Sequence, residues 1–135
     1  MSHISKIETK IKDLAFLKKA LGKLNMQYRE AKEGERLTVL GYGKDEVIDD
    51  CVMEIKTGSK YGIGIRKIEG NYEVVADWWA IETFTGEKQE EIMNRITRKY
   101  AYETVMDKVH AMGYGVIQEE QDVKNNLRIT VRRWD

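Results

Sequence analysis

Tyr61-Gly62-Ile63-Gly64-Ile65-Arg66-Lys67-Ile68 runs into Glu69-Gly70 and then into Asn71-Tyr72-Glu73-Val74-Val75-Ala76-Asp77. Two segments rich in β-branched and aromatic residues thus meet across a short glycine-containing turn, the pattern of a β-hairpin. The spacing predicts strands over Tyr61 to Ile68 and Asn71 to Ile81. Gly62 and Gly64 weaken the first strand and imply a bulge or a close packing contact.

Working outward, turn signals recur at Glu33-Gly34-Glu35, Gly41-Tyr42-Gly43, Thr57-Gly58-Ser59 and Lys124-Asn125-Asn126. They bound further strands predicted at Met26 to Ala31, Arg36 to Leu40 and Val47 to Lys56. Within the last of these, Cys51 alternates with Val47, Met53 and Ile55, which makes it an inert core residue. At the N-terminus His3, Ser5, Ile7, Thr9 and Ile11 share one face of a strand. Asp13 is then placed to cap a helix whose Leu14, Leu17, Leu21 and Leu24 form one stripe, with Asn25 at its C-terminal end.

Downstream of the hairpin a long helix fits Glu87 to Met112, with Thr85 as its cap and Gly113 as its stop. Its apolar face drifts. Ile92 and Ile96 point one way, and Ala101, Val105, Val109 and Met112 another. Either the helix bends near Tyr100 or its halves pack on different things, a partner subunit included. Strands at Gly115 to Gln121 and Leu127 to Trp134 close the chain.

Leu17, Leu21, Leu24 and Tyr28 echo Val105, Val109, Met112 and Val116 at a constant offset of 105 − 17 = 88 residues. Each half reads β-α-β-β, with a hairpin around Thr57 to Ser59 inserted between them. Two accounts stand: a structural duplication, or the likeness of any two amphipathic helix-hairpin units. Both give an α+β fold in which an antiparallel sheet carries two helices on one face. The other face is then left open.

The chain has 135 residues, 23 basic and 23 acidic, one cysteine and no proline. That length suits a single domain, residues 1 to 135. Its 41% hydrophobic content excludes a disordered chain. No apolar run approaches the ~20 residues of a membrane span, and the alternating, charged N-terminus is not that of a signal peptide. One cysteine makes no internal disulfide and no zinc site. A cytoplasmic protein without membrane contact, metal or cofactor is expected. The balanced charge argues against a general nucleic-acid coat, though not against a local basic strip.

Candidate binding residues fall in four places. Arg128, Thr130, Arg132 and Trp134 share one face of the last strand, opposite Leu127, Ile129 and Val131. Such a face can grip phosphates, bases or a protein, and an ordinary solvated strand looks the same. Trp78 and Trp79 are neighbours on a predicted strand, so one enters the core and the other meets a partner, a ligand or a helix edge. Asp77 lies beside them. On the long helix Arg95, Arg98, Lys99 and Tyr102 can line one side, near Tyr100, and receive an anion or an acidic surface. The alternative is a charged solvent face paired with Glu91 and Glu103. Finally, His3 shares a strand face with Ser5, but no nucleophile, base and orienting group can be assembled from spacing. His110 suits the last helical turn, where a cation meets the dipole.

Several motifs in order resemble one family across nearly the whole chain. These are Ser2-His3-Ile4-Ser5 with Ile7, Thr9, Ile11 and Asp13-Leu14; Leu17-Lys18-Lys19-Ala20-Leu21; Tyr72 to Asp77; Asn94-Arg95-Ile96-Thr97 with Tyr100-Ala101-Tyr102; and Arg132-Arg133-Trp134. The chain resembles the family of hypothetical chloroplast reading frame thirty-five, found on algal chloroplast genomes and in cyanobacteria and other bacteria. It departs from that pattern around residues 41 to 60 and after Asp77. The family has no assigned activity or cofactor. The resemblance implies a small protein of the cytoplasm or plastid stroma and directs attention to His3, Asp77, Arg95, Tyr100 and Tyr102.

The leading expectation is a non-enzymatic binding module, an accessory or adaptor subunit that contacts a protein partner or a second copy of itself. The alternative is a binder of a nucleotide or single-stranded nucleic acid through Arg128, Arg132 and Trp134. A third reading, an enzyme with His3 as acid or base, requires His3 and Asp77 within hydrogen-bond reach.

Overall fold

A computed structural model describes residues 3–121 and 127–133, with side chains described for residues 3–113. The quoted stretch forms the centre of the fold. Strands β6 (Ile63–Ile68) and β7 (Asn71–Asp77) pair antiparallel across a two-residue turn. Glu69 and Gly70 both adopt positive φ, 49° and 85°. That is the turn whose twist matches the flanking strands, and glycine supplies one of its two left-handed positions without strain.

Around this hairpin stands a five-stranded antiparallel sheet in the order β1-β7-β6-β5-β2. Its other strands are β1 (Ile4–Glu8), β2 (Tyr28–Glu30) and β5 (Met53–Ile55). Alternation sends Met53, Ile55, Ile63, Ile65, Val74 and Ala76 to one face. Leu17 and Leu21 of α1 (Leu14–Lys23) and Ile92 and Ile96 of α3 (Gln89–Ala111) meet them there. Each such side chain taken fully out of water contributes about 1.5–3 kcal/mol. As expected, Asp13 caps α1, its carboxylate accepting from Ala15 N at 2.8 Å, and Asn25 follows the helix at φ 57°.

The fold class is therefore α+β, with helices on one face of an antiparallel sheet. The opposite face differs from expectation, because it is covered over the central strands. A two-stranded ribbon of β3 (Leu37–Leu40) and β4 (Val47–Cys51) lies across it. Val39, Ile48 and Cys51 of the ribbon form a second small core with Val75 of β7. The glycines of β6 make the approach close. A Cβ on Gly64 would stand 2.7 Å from Cys51 Sγ, and one on Gly62 would strike the Glu54 side chain.

Three predicted elements are corrected. The single strand over Val47 to Lys56 breaks at Val52 into β4 and β5, which belong to different sheets. Asp50 takes φ 62° inside β4, where the pairing with β3 shifts register, and this left-handed residue sets Cys51 on the same side as Ile48 rather than Val47; the break at Val52 then separates Cys51 from Met53 and Ile55. Cys51 is buried, but in the second core. The strand predicted to run to Ile81 ends at Asp77, and Trp78–Thr85 is a helix, α2. Thr85 does not cap the long helix. It is the last residue of α2, donating its hydroxyl to Ile81 O at 2.6 Å, and α3 starts from Lys88, whose own side chain makes no cap bond, while Glu82 Oε2 of α2 accepts from Gln89 N at 2.8 Å.

The two halves of the sequence echo share element types but not pairing. In the first, β2 pairs with β5 and β3 with β4. In the second, β8 (Tyr114–Gln121) pairs with β9 (Leu127–Arg133) as a separate two-stranded sheet. The drift along α3 also has a structural counterpart. Ile92 and Ile96 enter the core, while Val105 and Met112 are exposed.

Candidate functional site

Asp77 ends β7 and begins α2, and its carboxylate is buried. Oδ1 accepts from Ala80 N at 3.0 Å, the N-cap bond of α2. Oδ2 accepts from Tyr42 N at 2.8 Å, a bond across 35 residues of sequence. One buried side chain therefore fixes both the start of α2 and the loop between β3 and β4. That loop is tight. Gly41 N donates to Glu46 O at 2.8 Å, Gly43 takes φ 119°, and a Cβ on Gly41 would lie 3.2 Å from Ile4 Cδ1.

The clamp sets Tyr42 beside the outward side of α2, where rings from four segments converge. Tyr42 packs edge-on to Trp79, with centroids 4.9 Å apart and planes at 64°. His3 stacks on Trp79 at 4.9 Å and 25°. Phe84 lies 6.2 Å from Tyr42 and 5.4 Å from Tyr61, and Tyr42 lies 6.3 Å from Tyr61. Tyr61 is buried beneath the group, and Lys60 Nζ stands 5.9 Å from its ring centre. Tyr42, Trp79 and Phe84 remain 47, 44 and 54% exposed. Each ring pair contributes about 0.5–1.5 kcal/mol beyond its burial, so the patch is held together while still facing water. Single exposed apolar residues are ordinary on a protein surface and contiguous exposed rings are not.

Of the residues predicted from sequence, His3 and Asp77 come together here. His3 does not engage Asp77. It stacks on Trp79, and both Asp77 oxygens accept from backbone N–H groups. Trp78 is in the core at 4% exposure, and Trp79 is the outward one. They sit on successive positions of a helix, about 100° apart, and not on opposite faces of a strand. Trp78 Nε1 is buried without a hydrogen-bond partner among the described residues.

The α3 residues scatter. Arg95 Nη2 pairs with Glu87 Oε2. Tyr100 serves the fold, its hydroxyl accepting from Lys12 N at 3.0 Å and Asp13 N at 3.2 Å, which ties α3 to the start of α1. Lys99 Nζ lies over the Tyr102 ring at 4.6 Å. Arg98 Nε is buried without a hydrogen-bond partner among the described residues. Glu103 is not a solvent-face partner for the arginines. It is buried, with Lys23 Nζ 3.9 Å away. The side chains of Arg128 and Arg132, and Trp134 entirely, lie outside the described residues, as does the facing of Leu127, Ile129 and Val131.

Tyr42, Tyr61 and Phe84 escaped the sequence reading. Gly41-Tyr42-Gly43 was legible as a turn, and a ring held between two glycines is a presented ring. Nothing local tied it to Trp79. Among the described residues no three His, Cys, Asp or Glu side chains gather as a metal site would require, and no helix is long and apolar enough to cross a membrane.

Comparison with known proteins agrees along the whole length of the chain. It is 30% identical to the uncharacterized protein ycf35 of Guillardia theta, over 99% of this chain and 98% of that protein. It is 29% identical to the uncharacterized protein ycf35 of Cyanophora paradoxa over the same shares, and 26% identical to that of Pyropia yezoensis over 100% and 99%. No solved structure matches the chain significantly. The family model described as protein of unknown function (DUF1257) matches residues 20–130, and the chain belongs to that family.

Proposed function

We propose that the protein is a non-enzymatic binding module, an accessory or adaptor subunit of the cytoplasm, whose contact surface for a protein partner is the ring cluster of His3, Tyr42, Trp79 and Phe84. The observation that carries this reading is the clamp beneath the rings. Asp77 holds both the Tyr42 loop and the Trp79 helix, so the exposed rings are presented in a set arrangement. Interfaces draw most of their energy from a few aromatic or arginine anchors seated on rigid supports. Pre-setting those anchors reduces the ordering that association must supply.

The test is native mass spectrometry of the protein purified gently from its own cells, with and without nuclease, beside a Trp79→Ala/Phe84→Ala variant. A protein partner at fixed stoichiometry, or a stable homo-oligomer, is expected with the wild type. The variant should lose it while still unfolding in one cooperative transition, with a midpoint lowered by the ring pairs it gives up. Losing anchors of about 2 kcal/mol each lowers affinity by roughly 30-fold apiece. A variant that retains the full complement refutes the ring surface. Nuclease-sensitive material in place of protein favours the nucleic-acid reading.

A further inference from the structure

We propose that the groove between the α1–β2 connection, the β5–β6 turn and the start of α3 is a binding site for a small organic anion, a phosphate monoester or a carboxylate carrying a short apolar body. The groove encloses about 570 Å³, within the roughly 300–1,000 Å³ range of small-molecule sites. None of the five clustered rings lines it, so it is a site separate from the proposed protein-contact surface.

Its lining sorts by chemistry. Leu24, Met26 and Ile92 supply an apolar part. Lys56 and Arg95 supply two cations against the single carboxylate of Glu87. Asn25, Gln27, Thr57 and Ser59 add neutral polar groups. An apolar part with a few convergent polar groups is the usual composition of a ligand site, and the cationic excess selects an anion.

The state of the two cations supports the assignment. Arg95 already holds an anion, because Glu87 Oε2 sits on its Nη2. Glu87 lies in the α2–α3 connection, and both side chains are about two-fifths exposed, 43 and 41%. A pair that wet contributes little to stability. Its carboxylate can be displaced at small cost by a ligand oxygen of the same charge. Arg95 is then the group that takes a planar or tetrahedral oxyanion through its fork of donors. Lys56 Nζ lies 3.7 Å from Glu54 Oε1, beyond hydrogen-bonding distance, and Arg29 Nε holds that same oxygen at 2.5 Å. Glu54 is thus neutralised without Lys56, whose ammonium remains able to turn to the groove. Glu87 acts as an internal stand-in for the ligand's charged end.

This arrangement makes a prediction of opposite sign for the two partners of one ion pair. Phenyl phosphate is titrated into the protein and followed by amide chemical shifts, with inorganic phosphate and phenol as controls. Saturable shifts around Gly58 and Ile92 are expected with phenyl phosphate. Each control should bind about tenfold more weakly or worse, since each lacks either the apolar body or the charge. Arg95→Gln should weaken binding about 10–100-fold, the scale of a hydrogen bond to a charged group. Lys56→Gln should weaken it by a smaller factor. Glu87→Gln should tighten it several-fold, because the competing carboxylate is gone. A merely structural ion pair cannot give this pattern, since either substitution would then only loosen the fold. No saturable binding by wild type and Glu87→Gln alike, binding indifferent to both Arg95→Gln and Lys56→Gln, or weaker binding by Glu87→Gln would each overturn the assignment.

Discussion

Replacing Asp77 by alanine should cost the fold about 2–4 kcal/mol and scatter the ring cluster. The magnitude follows from its two bonds. Loss of the N-cap to Ala80 costs about 0.5–2 kcal/mol. Leaving the N–H of Tyr42 without its acceptor costs about 1–3 kcal/mol where the group is shielded. The Tyr42 ring is half exposed, so water partly replaces the second bond and the sum falls short of the two maxima. Asp77→Asn separates the contributions. Its amide oxygen can accept one N–H, but its NH2 group then faces the other, so it should lose about half as much as alanine. The assay is urea unfolding with the slope checked against wild type, paired with acrylamide quenching of tryptophan. Trp79 should become more accessible in Asp77→Ala at urea concentrations where the protein is still folded, because its Tyr42 neighbour is released. An alanine variant that loses less than about 1 kcal/mol would refute the double clamp, given that even one buried bond left unmade costs that much.

Two further outcomes follow from buried groups. Gly62→Ala should lose about 2–3 kcal/mol, the usual scale of overpacking. Its Cβ would stand 2.6 Å from Glu54 Cγ and 2.7 Å from Cδ, and Glu54 is held in place by Arg29. In a Glu54→Ala background the same change should cost at least about 1 kcal/mol less, and strictly additive losses would show that the two residues do not collide. Burial pushes the Cys51 thiol above its ordinary range, against a smaller lowering by Arg66. The unfolded chain then sheds this proton first. The thiol's contribution to stability is intact below about pH 8.5 and is lost as pH rises beyond it. The stability advantage of wild type over Cys51→Ala should therefore shrink between pH 7 and pH 10. An unchanged gap would mean that burial does not hold the proton.

The hairpin of β6 and β7 was legible because strand composition and a Glu69-Gly70 turn agreed, and helix α1 because the cap Asp13 and the stripe of Leu17 and Leu21 agreed. Where two local signals coincide, tertiary structure has little left to decide. At Asp77 they diverge. The Trp78 to Ile81 run is apolar at every position, so it fits a buried strand and a buried helix equally. The decision falls to an N-cap bond and to Gly86 at φ 79°, which closes α2. The division of β4 from β5 was hidden for a related reason: strand-forming residues run straight through Val52, and only their pairing sends the two segments to different sheets. The ring cluster was least legible. Its members come from the residue before β1, the β3–β4 loop, the β5–β6 loop and α2, and they meet only because the ribbon lies on the far face of the sheet.

The placement of that ribbon shows how stability and positioning are divided between different residues. Val39, Ile48 and Cys51 press it onto Val75, but apolar contact is non-directional and would tolerate a shift along the sheet. Directional bonds remove that freedom at both ends. At one end the buried Asp77 accepts from Tyr42 N. At the other, the buried Glu54 binds Arg29 Nε, and Arg29 Nη2 donates to Thr38 O at 2.8 Å. Between them Arg66 Nε donates to Asp49 O at 2.9 Å. Asp77, Arg66 and Glu54 all lie on the sheet face that the ribbon covers, as the registers Glu54↔Gly64 and Gly64↔Val75 require. A buried carboxylate is a poor source of net stability, since its desolvation offsets most of what its partner returns. Its value here is register: slide the ribbon by one residue and Asp77 loses the N–H of Tyr42 while Arg29, held by Glu54, loses the carbonyl of Thr38, yet most of the apolar burial survives. Tyr42 meets Trp79 because that slide is forbidden.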